Sequence, residues 1–444
     1  MSRVAIFLHN DPTFDSRVRR QAAFLAADGH QVTLVSTAPH EPQSDYAAVT
    51  VPERHLWYRG HKQWLLLRDR PWSLARQSLR RGEAKHAVAG IALLPWAAVR
   101  AVRNWLPIPG RSVGNGRASG IRWLVDWHDR VLGWAPVAAK AAPPADVYLG
   151  NDVDGLVAAI IARGQHEQGR AIYDCHDLLL VQSSNTERPE WSRRLMGKLQ
   201  AAAIEAADAT VTVSGTMAAE LRELGADDPV VVRNCPIRWE PAPGDRDKLR
   251  SAIGVDEQTP VIVHHGVLGA QRGIEQLVEL IDRPLLHDAH LVLLGYGSQV
   301  PYIKEAASLN PRIHYLPAVP PEELCAWLSG ADLGVALYAP IPNYRVTLPN
   351  KLFEWLMAGV PMVVSDFAPW REVVCDDPDG PFGDVVDPLD LDRAAVVVRE
   401  QLDRSRSGPE LRERCRRAAM ERLNAETEIQ GLLRLVRDVA TRRS

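Results

Sequence analysis

Leu348-Pro349-Asn350-Lys351-Leu352-Phe353-Glu354-Trp355-Leu356-Met357-Ala358-Gly359-Val360-Pro361 reads as a loop ending at Pro349, a helix from about Asn350 to Ala358, a glycine stop and a buried strand. A helix that runs straight into an apolar strand is one step of a parallel sheet covered by helices. The N-terminus of such a helix carries unpaired N–H groups and partial positive charge, which suits a diphosphate. Lys351 adds a full charge in the first turn. Glu354 lies one turn on along the same face, where a carboxylate can accept two hydrogen bonds from a ribose diol. The plainer alternative is an ordinary surface Lys–Glu pair.

Outward from this stretch, the same strand–helix rhythm fills both halves of the chain. Strands are expected at Val261–His264, His290–Leu294, Ile313–Leu316, Leu333–Leu337, Val360–Ser365 and Gly383–Val386. Earlier come Val4–Leu8, Gln31–Ser36, Val147–Leu149, Ala171–Asp174, Ala209–Val213 and Pro229–Val232, with helices at Ser16–Asp28 and Ser192–Ala207. The proline-rich, charged segment Ile237–Arg246 between the two series has the composition of a linker. The fold class is therefore α/β, with two doubly wound Rossmann-like domains spanning 1–237 and 238–422. A long helix from about Leu411 to Arg443 supplies a final segment, 423–444, that reaches back to the first domain.

Composition narrows the function classes. The 444 residues are 46% hydrophobic and 24% charged, which excludes global disorder, and a net charge of −3 speaks against nucleic-acid binding through overall basicity. Cys175, Cys235, Cys325, Cys375 and Cys415 are scattered without a C-x-x-C pair, fitting neither a zinc site nor a disulfide framework and suiting a reducing cytosol. No apolar run is long enough for a transmembrane helix. The acidic cluster Asp376-Asp377-Pro378-Asp379 reads as a solvated turn, so no metal site is expected. Residues 54–134 stand apart as a basic insertion carrying Trp57, Trp64, Trp72, Trp96, Trp105, Trp123, Trp127 and Trp134. They are either extra helices packed on the domain or a peripheral membrane contact with Trp and Arg at headgroup level. Localisation is expected to be cytoplasmic, with the inner face of the cell membrane as the site of any such contact.

The motifs together resemble the family 4 glycosyltransferases of the GT-B fold. The resemblance rests on the Leu348–Pro361 stretch, Asp15-Ser16-Arg17-Val18-Arg19 and Gly29-His30-Gln31-Val32. It continues through Tyr173-Asp174-Cys175-His176-Asp177, Ala207-Asp208, Val213-Ser214 and Arg233-Asn234-Cys235-Pro236. In the second half come Gly266, Arg272-Gly273-Ile274, Gly295-Tyr296-Gly297 and Gly330-Ala331-Asp332, all in the family's order.

That resemblance implies two domains facing across a cleft, and transfer of a sugar from a nucleoside diphosphate to an acceptor hydroxyl with retention at the anomeric carbon. Glu354 would hold the donor ribose, with Arg272, Lys351, Asn350 and the glycine turn Gly295–Gly297 around the nucleotide. His176, with Asp177 in place of the family's glutamate, would lie near the transferred sugar. Asp15, Arg17, Asn151 and Asp152 would line the acceptor side, although Asp15 serves equally as a helix cap. No cofactor is implied beyond the nucleotide-sugar donor. The acceptor is expected to be a glycan, a lipid-linked sugar or a small molecule. The sequence departs from the family at Val346, where a second glutamate is usual, at Val267, where a basic residue is usual, and in lacking a Gly-Gly pair in the first loop. A sugar-nucleotide epimerase and a non-catalytic nucleotide-sugar-binding partner share the architecture and are the rival readings.

Overall fold

The computed structural model describes residues 1–42, 44–52, 133–166, 169–182 and 189–441, so most of the basic insertion lies outside the described residues. The described residues form two all-parallel sheets. The first contains β1 (Arg3–Leu8), β2 (Gln31–Ser36), β3 (Ala47–Thr50), β4 (Val147–Asn151), β5 (Arg170–Cys175), β6 (Ala209–Thr212) and β7 (Val230–Val231), in the order β3-β2-β1-β4-β5-β6-β7. The second contains β8 (Val261–Val267), β9 (His290–Tyr296), β10 (Ile313–Pro317), β11 (Leu333–Ala336), β12 (Met362–Ser365) and β13 (Gly383–Val386), in the order β10-β9-β8-β11-β12-β13. In each sheet the order reverses beside the first strand, at β1/β4 and at β8/β11. Doubly wound sheets bind ligands outside the carboxyl ends of their strands at such points.

Both sheets are covered on two faces, and the strands read accordingly. Val4, Ile6 and Leu8 of β1 enter one apolar cluster, while Ala5 and Phe7 enter another on the opposite face. Val261 and Val263 of β8 likewise part from Ile262. Strand β3 was not expected, because its Ala47-Ala48-Val49-Thr50 is largely exposed and lacks the apolar run that marks its neighbours.

The terminal helix is two helices. Glu410–Glu421 and Ala425–Thr441 are separated at Asn424, a fully buried side chain whose Nδ2 donates to the carbonyls of Ala419 and Met420 and whose Oδ1 accepts from Thr427 N. One amide side chain thus ends the first helix and starts the next. Beyond the corner, Ile429, Leu432, Leu433, Val436 and Val439 pack with Val18, Ala22 and Leu25 of the first domain. The helix expected at Ser192–Ala207 runs from Glu190 to Glu205, and it buries Ser192, Met196, Gln200, Ala203 and Ile204. Gln200 turns inward among these apolar residues, and its Nε2 donates to the Tyr173 hydroxyl at 3.4 Å.

Trp134, the one tryptophan of the insertion series within the described residues, is buried and donates from Nε1 to Val51 O at 2.8 Å. The acidic turn near residue 377 is not simply solvated: Arg422 pairs with both Asp377 and Asp379. Among the described residues no group of three or more His, Cys, Asp or Glu stands at metal-binding distances.

Candidate active site

The carboxyl ends of both sheets open onto one cavity of about 530 Å³. The first domain contributes Asp15, Arg17, His176, Asp177 and Asn234, and the second contributes His265, Arg272, Tyr338, Asn350, Lys351 and Glu354. Eight of the residues expected from the sequence therefore meet here: Asp15, Arg17, His176, Asp177, Arg272, Asn350, Lys351 and Glu354.

The helix Lys351–Met357 sets the second-domain wall. Its Trp355 is fully buried against β11, where a Cβ on Gly334 would lie 2.4 Å from the indole ring. Glycine at 334 is what allows this close approach. The first-turn amides are largely taken, since Leu352 N donates to Pro349 O at 3.3 Å and Phe353 N to Asn350 O at 3.0 Å. Charge on this wall comes instead from side chains.

Lys351 is 5% exposed, with Nζ 3.0 Å from His264 Nε2 and 4.9 Å from the Tyr338 ring centroid. Burial lowers its pKa well below the ordinary value, and Arg272 adds to the effect against the pull of Glu354. Arg272 donates to the Tyr338 hydroxyl at 3.2 Å and lies over the same ring. Among the described residues neither cation has a carboxylate within 4 Å. Glu354 accepts from His265 Nε2 at 2.7 Å. Burial pushes its carboxyl up, but His265, Arg20 and Lys351 outweigh that and hold it below its ordinary value.

Across the cavity, His176 Nε2 stands 3.1 Å from Asp174 Oδ2. Burial lowers the His176 pKa, and Asp174 more than reverses this, leaving it raised. Asp174 has no exposed surface and binds Arg17 Nη2 at 3.0 Å, with Gln21 Nε2 also donating to it. Burial drives its carboxyl up, but Arg17, His176 and Gln21 together bring it well below the carboxylate range. Arg17 is thereby committed to Asp174 and to Val232 O, at 2.9 Å, so it reaches the cavity as a wall and not as a free cation. Asp15 lines the cavity, and its Oδ1 caps the following helix by accepting from Val18 N at 3.1 Å. Burial raises the pKa of Asp177.

Four expected residues stand outside the cavity lining. Gly295 and Gly297 pack strand ends: a Cβ on either would lie within 1.9 Å of Gly266 O or 2.2 Å of Leu268 O. Asn151 is buried below β1, donating to Phe7 O at 3.4 Å. Asp152, with a strained φ of 54°, accepts from His176 N at 3.2 Å and so supports the His176 loop from beneath. Burial pushes its carboxyl up to about 6, helped by Asp177 and Asp174 and opposed by His176.

The sequence reading missed His264, His265, Tyr338 and Tyr344. The available signal was two adjacent histidines at the end of an otherwise apolar strand. Val346, where a carboxylate is missing, does not point into an empty subsite. It packs on the first-domain cluster around Leu178 and Met217, and its carbonyl accepts from Ser214 Oγ at 3.3 Å.

Two Rossmann-like domains enclosing a cleft lined from both sides define the GT-B architecture. Residues 259–402 match the family model described as Glycosyl transferases group 1. The chain is 29% identical over 217 residues to a D-inositol 3-phosphate glycosyltransferase of Xylanimonas cellulosilytica, covering 45% of this chain and 50% of that protein. It is 33% identical over 150 residues to an alpha-maltose-1-phosphate synthase of Mycolicibacterium smegmatis, covering 31% and 38%. The chain thus spans half or less of the length of these two relatives. Among solved structures, sucrose-phosphate synthase from Thermosynechococcus elongatus superposes with a TM-score of 0.66 at 16% identity, covering 99% of both chains. Anabaena HepE in complex with UDP-glucose gives 0.62 at 14% identity, covering 99% of this chain and all of that one. At these identities the superpositions establish the fold.

Proposed function

We propose that this protein is a glycosyltransferase that moves a sugar from a nucleoside diphosphate to an acceptor hydroxyl. The observation that carries the reading is the pair Arg272 and Lys351, two cations without carboxylate partners among the described residues in the wall of an interdomain cavity, with the Glu354 carboxylate one turn beyond. Such a wall matches a diphosphate beside a ribose diol. The matched family model and the similarity to glycosyltransferases support the same assignment. The HepE complex makes a UDP-sugar the first donor to test.

In this reading the bond from the anomeric carbon to the phosphate oxygen breaks, and Arg272 and Lys351 stabilise the charge left on the departing diphosphate without calling on a metal. The acceptor oxygen bonds to the same face of the anomeric carbon, and its proton passes to the departing phosphate, so configuration is retained. Asp15, His176 and Asp177 line the wall where the acceptor would approach. The acceptor is a glycan, a lipid-linked sugar or a small molecule, met in the cytoplasm or at the inner face of the membrane. Among the described residues no helix is long and apolar enough to cross a membrane.

The test is a nucleotide-release screen over a panel of sugar nucleotides, with Glu354→Ala as control. Release of one nucleoside diphosphate that the control loses supports the assignment. Silence across the panel, with no thermal stabilisation by any nucleotide, refutes it. The anomeric configuration of the product, read by NMR, decides retention.

A further inference from the structure

His264 and His265 are adjacent on β8, and each holds one of the two charged groups of the helix Lys351–Met357. His264 has no exposed surface. Its Nδ1 lies 2.8 Å from the carbonyl of Val335, which only accepts, so Nδ1 carries the proton. Its Nε2 is therefore bare, and at 3.0 Å it accepts one N–H of Lys351. His265 is 2% exposed and does the opposite: Nε2 carries the proton and donates to Glu354 at 2.7 Å, while Nδ1 is buried without a partner among the described residues. Burial holds both rings neutral.

We infer that His264 and His265 are positioning residues of opposite tautomer, which aim Lys351 at the diphosphate and Glu354 at the ribose of one bound nucleotide. The inference rests on the donor-site reading above. The ammonium has three N–H donors and His264 takes one, leaving donors for the cavity that Lys351 lines. Lys351 is faced by His264 and His265 on β8, by Arg272 and Tyr338 on the loops after β8 and β11, and by Glu354 on its own helix. The only group placed to accept from it at hydrogen-bond distance among the described residues is His264. A neutral acceptor fixes the direction of the ammonium and leaves its charge uncancelled, which a carboxylate in the same place would not do.

The experiment is calorimetric titration of UDP and GDP, each beside its nucleoside, into the unsubstituted protein and a set of variants. His264→Leu is expected to weaken diphosphate binding about tenfold while leaving nucleoside binding unchanged. His264→Gln, which retains an acceptor, recovers most of the loss. In a Lys351→Met background His264→Leu has no further effect. His265→Leu weakens nucleoside and diphosphate alike, because it acts through Glu354.

An equal loss of nucleoside and diphosphate in His264→Leu, or the same loss without Lys351, overturns the inference and leaves His264 a structural residue. Failure of the unsubstituted protein to bind any diphosphate overturns the donor-site reading and this inference with it. If His264→Leu does not fold, imidazole 15N spectra of the unsubstituted protein decide the matter. A bare Nε2 on His264 with a protonated Nε2 on His265 is expected, and the reverse pair refutes the assignment.

Discussion

Replacing Asp174 by Asn would remove the charge from the centre of the first-domain wall while preserving its shape. Asp174 is fully buried and is held by Arg17, Gln21 and His176. Loss of the charge leaves Arg17, itself 6% exposed, as a buried cation with only neutral acceptors, the new amide oxygen and Val232 O, and no counter-charge. Breaking one side of a buried ion pair costs about 3–5 kcal/mol. At about 2–4 °C per kcal/mol for a domain of this size, the first-domain midpoint should fall by roughly 6–20 °C.

The assay is urea and thermal unfolding of Asp174→Asn, Arg17→Met and the double variant. The double variant should lose less than the sum of the two, with a coupling above about 1 kcal/mol. The pH dependence carries a second signature. Because the folded-state pKa of Asp174 lies below its unfolded value, its contribution is complete above about pH 4 and disappears as pH falls through the folded value. Asp174→Asn should lack that acid limb. A loss below about 1 kcal/mol, or strict additivity of the two substitutions, would refute the reasoning.

Three further outcomes are expected. Lys351 has a lowered pKa in the empty site and a bound diphosphate favours its charged form, so UDP affinity should fall as pH rises past the empty-site pKa, by at most about one decade per pH unit. Lys351→Met should flatten that slope, and an unchanged slope in the variant would assign the proton elsewhere. Gly334→Val would drive a side chain into the Trp355 ring and should cost about 1–3 kcal/mol while displacing the helix that carries Glu354, measurable as a joint loss of stability and nucleotide affinity. Val346→Asp would place a charge against the Leu178–Met217 cluster, so small-angle scattering should show a larger separation of the domains, whereas an unaltered profile would mean this contact does not hold the cleft.

Much of this was legible because a doubly wound sheet places function by rule. Asn350, Lys351 and Glu354 could be placed because they open a helix whose ends were marked by Pro349 and Gly359, while Arg272 came from the family resemblance. His176 and Asp177 sit just past β5. Illegible features depended on contacts between distant segments. Arg17 looked like a cleft cation until Asp174 was seen to bind it 157 residues away. Asp152 turned inward because the backbone at β4 bends through a positive φ, which composition does not reveal. The Ala-Asp motifs are structural in both domains: Asp208 caps Ala171 N at 2.7 Å, and Asp332 caps Val261 N at 2.8 Å. The break at Asn424 was hidden because helical periodicity continues on both sides of it.

That break also bears on the order in which the molecule assembles. The apolar cluster that joins Val4, Ile6, Leu149 and Val211 of the first sheet to Val18, Ala22 and Leu25 of the helix Ser16–Ala27 is closed by residues 425–441, and the whole second domain is synthesised in between. As the chain leaves the ribosome, this apolar surface is exposed throughout the making of the second domain. The first domain is thus completed only after the second has been made, and until then it carries exposed apolar surface of the kind that favours aggregation.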